Sequence, residues 1–525
     1  MASVFAYLRL IKAGFVLARE GIFSIAPRED VPPPAQAALW VADLIARKGV
    51  DDVGKGDRLT KALNRLGPSY IKLGQFLATR PDIVGQDIAQ GLGSLRDKVP
   101  PFDDAIARKL IRENLNRDVD TLYTNFGEAV AAASIAQVHK AYVEIDGVVK
   151  PVAVKVMRPD VRGRFQRDLA SFYAAAHLIE RMNPASRRLR PVAVVDTLAR
   201  SVMMEMDLRL EASALSEMTE QCEGDPKFAV PTIDWDRTGR DVLTIDWIDG
   251  LKMTELDALE AAGHDKQQLA QNLIQTFLRH ALNHGFFHAD MHQGNLFVDA
   301  EGRIVAIDFG IMGRIGQKER RFLAEILYGF VKRDYLRIAE VHFEAGYVPK
   351  TQLVEDFAQA LRAVGEPIHG QSAQDISMAK LLGLLFEITE LFEMKTRTEL
   401  IMLQKTMVVV EGVARSLDED FDMWSAAEPV LREWLTDNLG PAAKIEQATS
   451  GLSSIGRLLN ELPLLAERTA NASQALDDLT HKGLRLDDKT LERLAKFQAN
   501  ENRSSRVALG VLAASAALIA LAYVF

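Results

Sequence analysis

Residues 288–310 read HADMHQGNLFVDAEGRIVAIDFG. Asp290 stands five residues before Asn295, and Asp308 follows thirteen residues after Asn295. Two short β-rich runs, 295–298 and 303–307, flank Glu301-Gly302, which is the signature of a tight hairpin. A hairpin of that size turns the chain back on itself and delivers an amide and a carboxylate to one place. Both are hard oxygen ligands. Mg²⁺ takes one or two such side chains and completes its shell with water and phosphate oxygens. A fold that satisfies this stretch must hold a catalytic loop, a hairpin and a metal carboxylate on one wall of a cleft.

The spacing fits the pattern H-R-D-x-x-x-x-N followed by D-F-G, in which the first Asp orients or deprotonates a nucleophile while the Asn and the second Asp hold metal. His288, Asp290, Asn295 and Asp308 occupy those places. A pair like Asp290 and Asn295 occurs by chance in turn-rich loops, but Asp308-Phe309-Gly310 at this distance argues against chance. Such a site also needs a cation for phosphate. Residues 139–159 contain two β-rich runs joined by Asp146-Gly147, a hairpin signal, and VAVKV places Lys155 near the end of the second. A lone strand lysine ordinarily faces solvent. One lying a small lobe's length upstream of the catalytic loop is a phosphate-binding candidate. Its acidic partner is expected from EMDLRLEA (205–212), which offers Glu205, Asp207 and Glu211; these would otherwise be ordinary helical surface charges. The covering loop, VAAASIAQV (130–138), has alanine where glycine is expected. Alanine resists positive φ, so this loop should be stiff. His280, His284, His288 and His292 recur every four residues, but Gly285 interrupts any helix that would align them, so zinc is not the expected metal.

With 525 residues, the chain exceeds one ordinary domain. Its net charge of −9 speaks against a nucleic-acid partner. Cys222 is the only cysteine, which excludes an intramolecular disulfide and suits a reducing compartment. The order of patterns predicts an amphipathic helix at 1–25, a helical extension at 39–125, a strand-rich lobe at 126–248, a larger helical lobe at 249–430 and a helical tail at 431–506. In the first helix Val4, Leu8, Ile11, Phe15, Ala18 and Ile22 share one face, which suits either a bilayer surface or packing on the domain. Helices are expected at about 160–182 and 194–220, and a second strand pair at 228–235 and 240–248 with Gly239 in its turn. Residues 507–525, VALGVLAASAALIALAYVF, carry no charged side chain and would rise about 28 Å as a helix, close to the hydrocarbon thickness of a membrane. Arg503 and Arg506 precede this segment, so the positive-inside rule places the bulk of the chain in the cytoplasm.

Together these residues resemble the UbiB family of atypical kinase-like proteins, which support ubiquinone (coenzyme Q) biosynthesis. The resemblance covers about residues 60–425. KLGQ (72–75) is similar to the family's KxGQ signature, AAASIAQVH (131–139) to its alanine-rich loop, EMD (205–207) to its ExD motif, and EGVARSLD (411–418) to a late helical segment. The family pattern carries prolines near Met291 and Gln293, which this chain lacks. The resemblance implies an α+β, atypical protein-kinase-like bilobal fold with an N-terminal helical extension and a C-terminal transmembrane helix. It implies ATP and Mg²⁺, with nucleotide binding at Val130, Ala131, Ala132, Ala133, Ser134, Ile135, Ala136, Gln137, Val138 and Lys155. Glu205 or Glu211 would partner the lysine. Asn295 and Asp308 would hold metal, Asp290 would be catalytic, and Lys72 and Gln75 would lie over the site. The implied partners are membrane lipids, quinone precursors and other ubiquinone-biosynthesis proteins, at the bacterial inner membrane; dimerisation stays open.

Two features separate the chain from ordinary protein kinases. Ala289 replaces the Arg of H-R-D, which removes the pairing used by phosphorylated activation loops. IMGRIGQKERRF follows Gly310 without an A-P-E segment to shape a peptide platform. The leading expectation is an ATPase, or a phosphotransferase acting on a small or lipid-like molecule. The alternatives are a protein kinase regulating ubiquinone enzymes and a nucleotide-binding pseudokinase scaffold.

Overall fold

The structure is a computed structural model. It describes residues 4–25, 40–47, 54–78, 84, 88, 91, 92, 95, 100–182, 190–369, 388, 391–394 and 398–439. Residues Met1–Thr436 form one compact unit and Asp437–Phe525 a second. The expected membrane segment at 507–525 and most of the 431–506 tail lie outside the described residues. Among the described residues, no helix is long and apolar enough to cross a membrane.

The N-terminal extension contributes α1 (Val4–Arg19), α2 (Lys55–Leu66), α3 (Pro68–Ala78) and α4 (Asp104–Leu115). The apolar face expected of α1 packs on the domain only in part. Ala6, Ala13 and Ala18 are buried, whereas Leu8 is 56% and Phe15 49% exposed. Small residues let a helix approach its neighbour closely, so alanines rather than bulky side chains make this interface. Arg9 Nε donates to Ser171 Oγ at 3.3 Å and ties α1 to the helix spanning Val161–Met182.

The strand-rich lobe is a four-stranded antiparallel sheet of β1 (Asn125–Ala132), β2 (Ala136–Ile145), β3 (Val148–Met157) and β5 (Val242–Asp246), in that order. Asp146 and Gly147 both adopt positive φ, 53° and 76°, and close the β2–β3 hairpin as expected. Alternation then fixes the site. Val152, Val154 and Val156 are buried with Ile111 of α4 in a cluster on one face, so Lys155 must emerge on the other. Each valine removed from water stabilises this face by about 2 kcal/mol.

Helix α5 (Val161–Met182) follows. The expected single helix over 194–220 is two, α6 (Pro191–Glu205) and α7 (Leu208–Gln221). Asp207 breaks the run: its extended backbone and its side chain, accepting from Arg209 N at 3.2 Å, cap α7. The second strand pair also differs. β4 (Phe228–Ala229) pairs in parallel with β9 (Ile304–Ala306), within the order β4-β9-β8-β6, where β6 is Leu251–Lys252 and β8 is Leu296–Val298. Only a single bridge, Ile233 to Ile245, joins the two expected partners.

Farther along lie α8 (Lys266–Arg279), a π-helical turn His280–His284, β7 (Phe286–His288) and β10 (Met312–Arg314), which pairs with β7. Gly285, at φ 67°, ends the helix, so His288 and His292 leave the line of His280 and His284. Among the later helices, α9 (Thr398–Leu417) packs on α8, and α10 (Met423–Leu439) runs across the expected boundary at 430.

Candidate active site

Lys155 Nζ donates to Glu211 Oε1 and Oε2 at 2.7 and 2.8 Å and to Asp308 Oδ1 at 3.4 Å. A strand, the first turn of α7 and the loop after β9 thus converge on one ammonium. Burial alone would pull the lysine pKa down, but the Asp308 and Glu211 carboxylates outweigh it and hold the group protonated well above its ordinary range. Burial would raise Asp308; Lys155 and the Gly310 N–H outweigh that and keep its carboxyl below the usual carboxylate range. Glu211 is pushed up to about 7, because burial and the nearby Asp308 charge exceed the attraction of Lys155.

The choice between Glu205 and Glu211 is resolved by the break at Asp207. Glu211 partners Lys155, and Glu205 at the end of α6 pairs with Lys72 of α3, Nζ to Oε2 2.7 Å. Both side chains of that second pair are nearly buried, at 11% and 12% exposure. The Lys72 charge is close enough to help hold the Asp308 carboxyl below its ordinary range. Gln75 sits one turn farther along α3, partly exposed. The Gly between them has a packing cause: a Cβ on Gly74 would collide with the Leu63 and Leu95 side chains.

The catalytic loop is tightly organised. His288 Nδ1 accepts from Asp290 N at 3.0 Å, and burial holds the imidazole pKa low. Asn295 Nδ2 donates to the Asp290 carbonyl at 3.1 Å, which turns its amide so that Oδ1 is the oxygen left for a ligand. Asp290 keeps 35% of its side chain exposed. Asn295 and Asp308 supply hard oxygens that suit a divalent cation completed by phosphate and water. Among the described residues, no cluster of three or more His, Cys, Asp or Glu side chains could hold a metal.

The alanine-rich segment is the tight β1–β2 connection. Ala131 pairs with Val138 and Ala132 with Gln137, and Ala133 N donates to Ala136 O at 2.8 Å. No residue of 130–138 takes positive φ. Val130 and Ala131 are exposed, Ala132, Ala133, Ile135 and Val138 are half-buried, and Ser134 and Ala136 are buried. The Ser134 hydroxyl has no partner among the described residues. Gln137 faces elsewhere: its amide bonds both backbone groups of Phe102, at 2.8 and 3.2 Å, and His139 Nε2 at 2.8 Å. Arg158 was not foreseen. Its Nε donates to Ala133 O at 2.7 Å, its backbone N to Ile135 O at 2.8 Å, and its Nη2 to Pro100 O at 2.9 Å. The one available signal was its place directly after the lysine strand.

Comparison with known proteins agrees with this geometry. A family model described as the ABC1 atypical kinase-like domain matches residues 94–342, and one described as the UbiB helical domain matches 361–422. A "Probable protein kinase UbiB" of Marinobacter nauticus is 36% identical over 87% of this chain and 84% of its own length. The chain belongs to the UbiB family. Proteins of the same name from Pseudomonas fluorescens and Aeromonas salmonicida are 36% and 35% identical over 79% and 88% of this chain, covering 78% and 85% of theirs. The fold is kinase-like, with mixed helices and sheets, and a kinase-like domain implies nucleotide and a divalent metal.

Proposed function

We propose that this UbiB-family chain is a membrane-anchored, Mg²⁺-dependent ATPase that supports ubiquinone biosynthesis at the bacterial inner membrane. The observation that carries the reading is the convergence of Lys155, Glu211 and Asp308, beside an Asn295 whose amide is oriented by Asp290. Lys155 and Mg²⁺ would neutralise phosphate charge, Asn295 and Asp308 would hold the metal, and Asp290 would orient the attacking group. Lys72, held by Glu205, would lie over the opening, where a peptide substrate would otherwise dock. Ala289 is buried and leaves no cation to pair with a phosphorylated loop. These features favour water or a small quinone precursor over a protein as phosphoryl acceptor.

The membrane part rests on the apolar 507–525 segment and on α1. That helix has three basic and no acidic residues, and turns Phe5, Leu8 and Phe15 outward. An apolar face with basic flanks suits an anionic bilayer.

The test is ATP turnover by the purified full chain with Mg²⁺, in the presence of membranes and a phenolic quinone precursor. Wild type should release phosphate, and Asp290→Asn should lose about 10²-fold or more. Equal release from both would remove Asp290 from the mechanism and leave a scaffold. Phosphate appearing on a protein partner would restore the kinase reading. Deletion of 507–525 should weaken retention on membranes; undiminished retention would assign attachment to α1 or another surface.

A further inference from the structure

The catalytic loop does not stand by itself. It runs beside α9, more than a hundred residues later in the chain. Thr406 is fully buried on that helix, and its hydroxyl lies 3.1 Å from the carbonyl oxygen of Ala289 and 2.9 Å from that of Met402, one turn back. Ten residues on, Ser416 Oγ donates to Val413 O at 2.6 Å, which aims its lone pairs outward, and Gln293 Nε2 donates to it. Ten residues of helix span about 15 Å, so the two attachments bracket the loop from end to end. Between them lie Asp290, Met291 and His292, with Met291 at 1% exposure in the same core.

We propose that α9 is a splint for the catalytic loop, and that Thr406, Gln293 and Ser416 are positioning residues for Asp290. The Ala289 backbone is held from both sides: its N–H donates to Ile311 O at 3.0 Å, just past Asp308-Phe309-Gly310, and its carbonyl meets Thr406. Asp290 follows directly, with its own N–H on His288 and its carbonyl on Asn295. The side chain that must point at the reacting group therefore hangs from a peptide fixed in register with both the metal loop and α9. In the kinase pattern position 289 carries a charged arginine that an activation loop can engage. Here the position is a buried alanine, and a helix takes over the work of fixing the loop. The splint is present in the chain as folded and needs no phosphorylation to form.

This inference rests on the reading of Asp290 as catalytic, and its test separates the two. In the full chain, Thr406→Val keeps shape but removes the hydroxyl; Thr406→Ser keeps the hydroxyl. Misplacing a reacting group by about 1 Å can cost about a hundredfold in rate. Thr406→Val is expected to lower kcat about tenfold, with KM for ATP within about twofold, and Thr406→Ser to restore most of the loss. Gln293→Leu and Ser416→Ala should each cost less. Combined they should cost no more than either alone, because they break one bond. Hydrogen exchange over residues 288–295 supplies the second measurement and needs no turnover. Exchange should quicken there in Thr406→Val and Gln293→Leu, while β8 and β9 keep their protection. Unchanged exchange in the loop would overturn the splint whatever the activity. So would a Thr406→Val enzyme with normal kcat and raised KM, or a Thr406→Ser enzyme no better than the valine form. If wild type proves no faster than Asp290→Asn while the exchange result holds, the ATPase reading falls and the splint stands.

Discussion

Two largely buried lysine–glutamate pairs draw their lysines from different parts of the chain. Lys155–Glu211 and Lys72–Glu205 both close at 2.7 Å between largely buried side chains. The two glutamates are six residues apart in sequence, on either side of the break at Asp207. Lys155 comes from a strand and shares its ammonium with Asp308, so it can trade a carboxylate for a phosphate without being left unpaired in the interior. Lys72 comes from the extension, outside the two lobes, and grips the end of α6. The first pair organises charge where chemistry would occur. The second ties the extension to the end of α6. A buried ion pair is weak evidence of net stabilisation, because desolvation offsets attraction; what each pair secures here is a position.

Removing the site lysine should have the largest effect. Lys155→Met deletes the cation and strands Glu211 beside Asp308. ATP turnover should fall about 10²-fold or more, read as phosphate release under saturating Mg²⁺-ATP. Retained turnover would show that the lysine is structural and erase the contrast between the pairs. Glu211→Gln should come next, with a loss of about tenfold, because Lys155 is then drawn to Asp308 alone and competes with metal there. A raised Mg²⁺ requirement in Glu211→Gln, absent from Glu205→Gln, would sharpen the distinction.

How much of this could be read from the chain follows from distance along it. The hairpin between Asn295 and Asp308 and the turn at Asp146-Gly147 are local, and alternation around Lys155 needs only its valine neighbours. The partner of Lys155 stays open in the sequence because 205–212 offers Glu205, Asp207 and Glu211; the decisive fact is a cap at Asp207, visible only once the helix is seen to restart. Spacing alone leaves α1 open between a bilayer surface and packing on the domain; in the fold Ala6, Ala13 and Ala18 are buried while Leu8 and Phe15 stay exposed. Gln137 sits in a loop motif, yet its amide is held by the Phe102 backbone, a partner 35 residues away. Thr406 lies 117 residues from Ala289, beyond the reach of any spacing argument. The parts of the site that rest on pairing between distant segments had no local trace.

The Lys72–Glu205 pair should have a smaller effect on chemistry and a clear one on access. Lys72→Met and Glu205→Gln are each expected to change kcat by no more than about threefold, since the two groups are paired with each other. Nucleotide release should quicken in both, by a similar factor, and the double variant should match the singles because one contact is lost. Stopped-flow release of a fluorescent ATP analogue reads this. A Lys72→Met chain as inactive as Lys155→Met would break the comparison and make the extension part of the catalytic machinery.

The last expected effect is on stability and concerns the site pair alone. Glu211 has an ordinary pKa of 4.5 and about 7 in the fold, with burial the leading cause. The folded chain therefore holds this proton more tightly than the unfolded chain. That contribution is complete below pH 4.5 and is lost as pH rises through about 7. Glu211→Gln cannot titrate, so the stability of wild type relative to this variant should decline across that window and be flat on either side. Thermal midpoints of both chains between pH 4 and 8 give the measurement. If wild type gains on the variant as pH rises, attraction to Lys155 outweighs burial, and the ammonium would be committed to Glu211 rather than ready to exchange it for a phosphate.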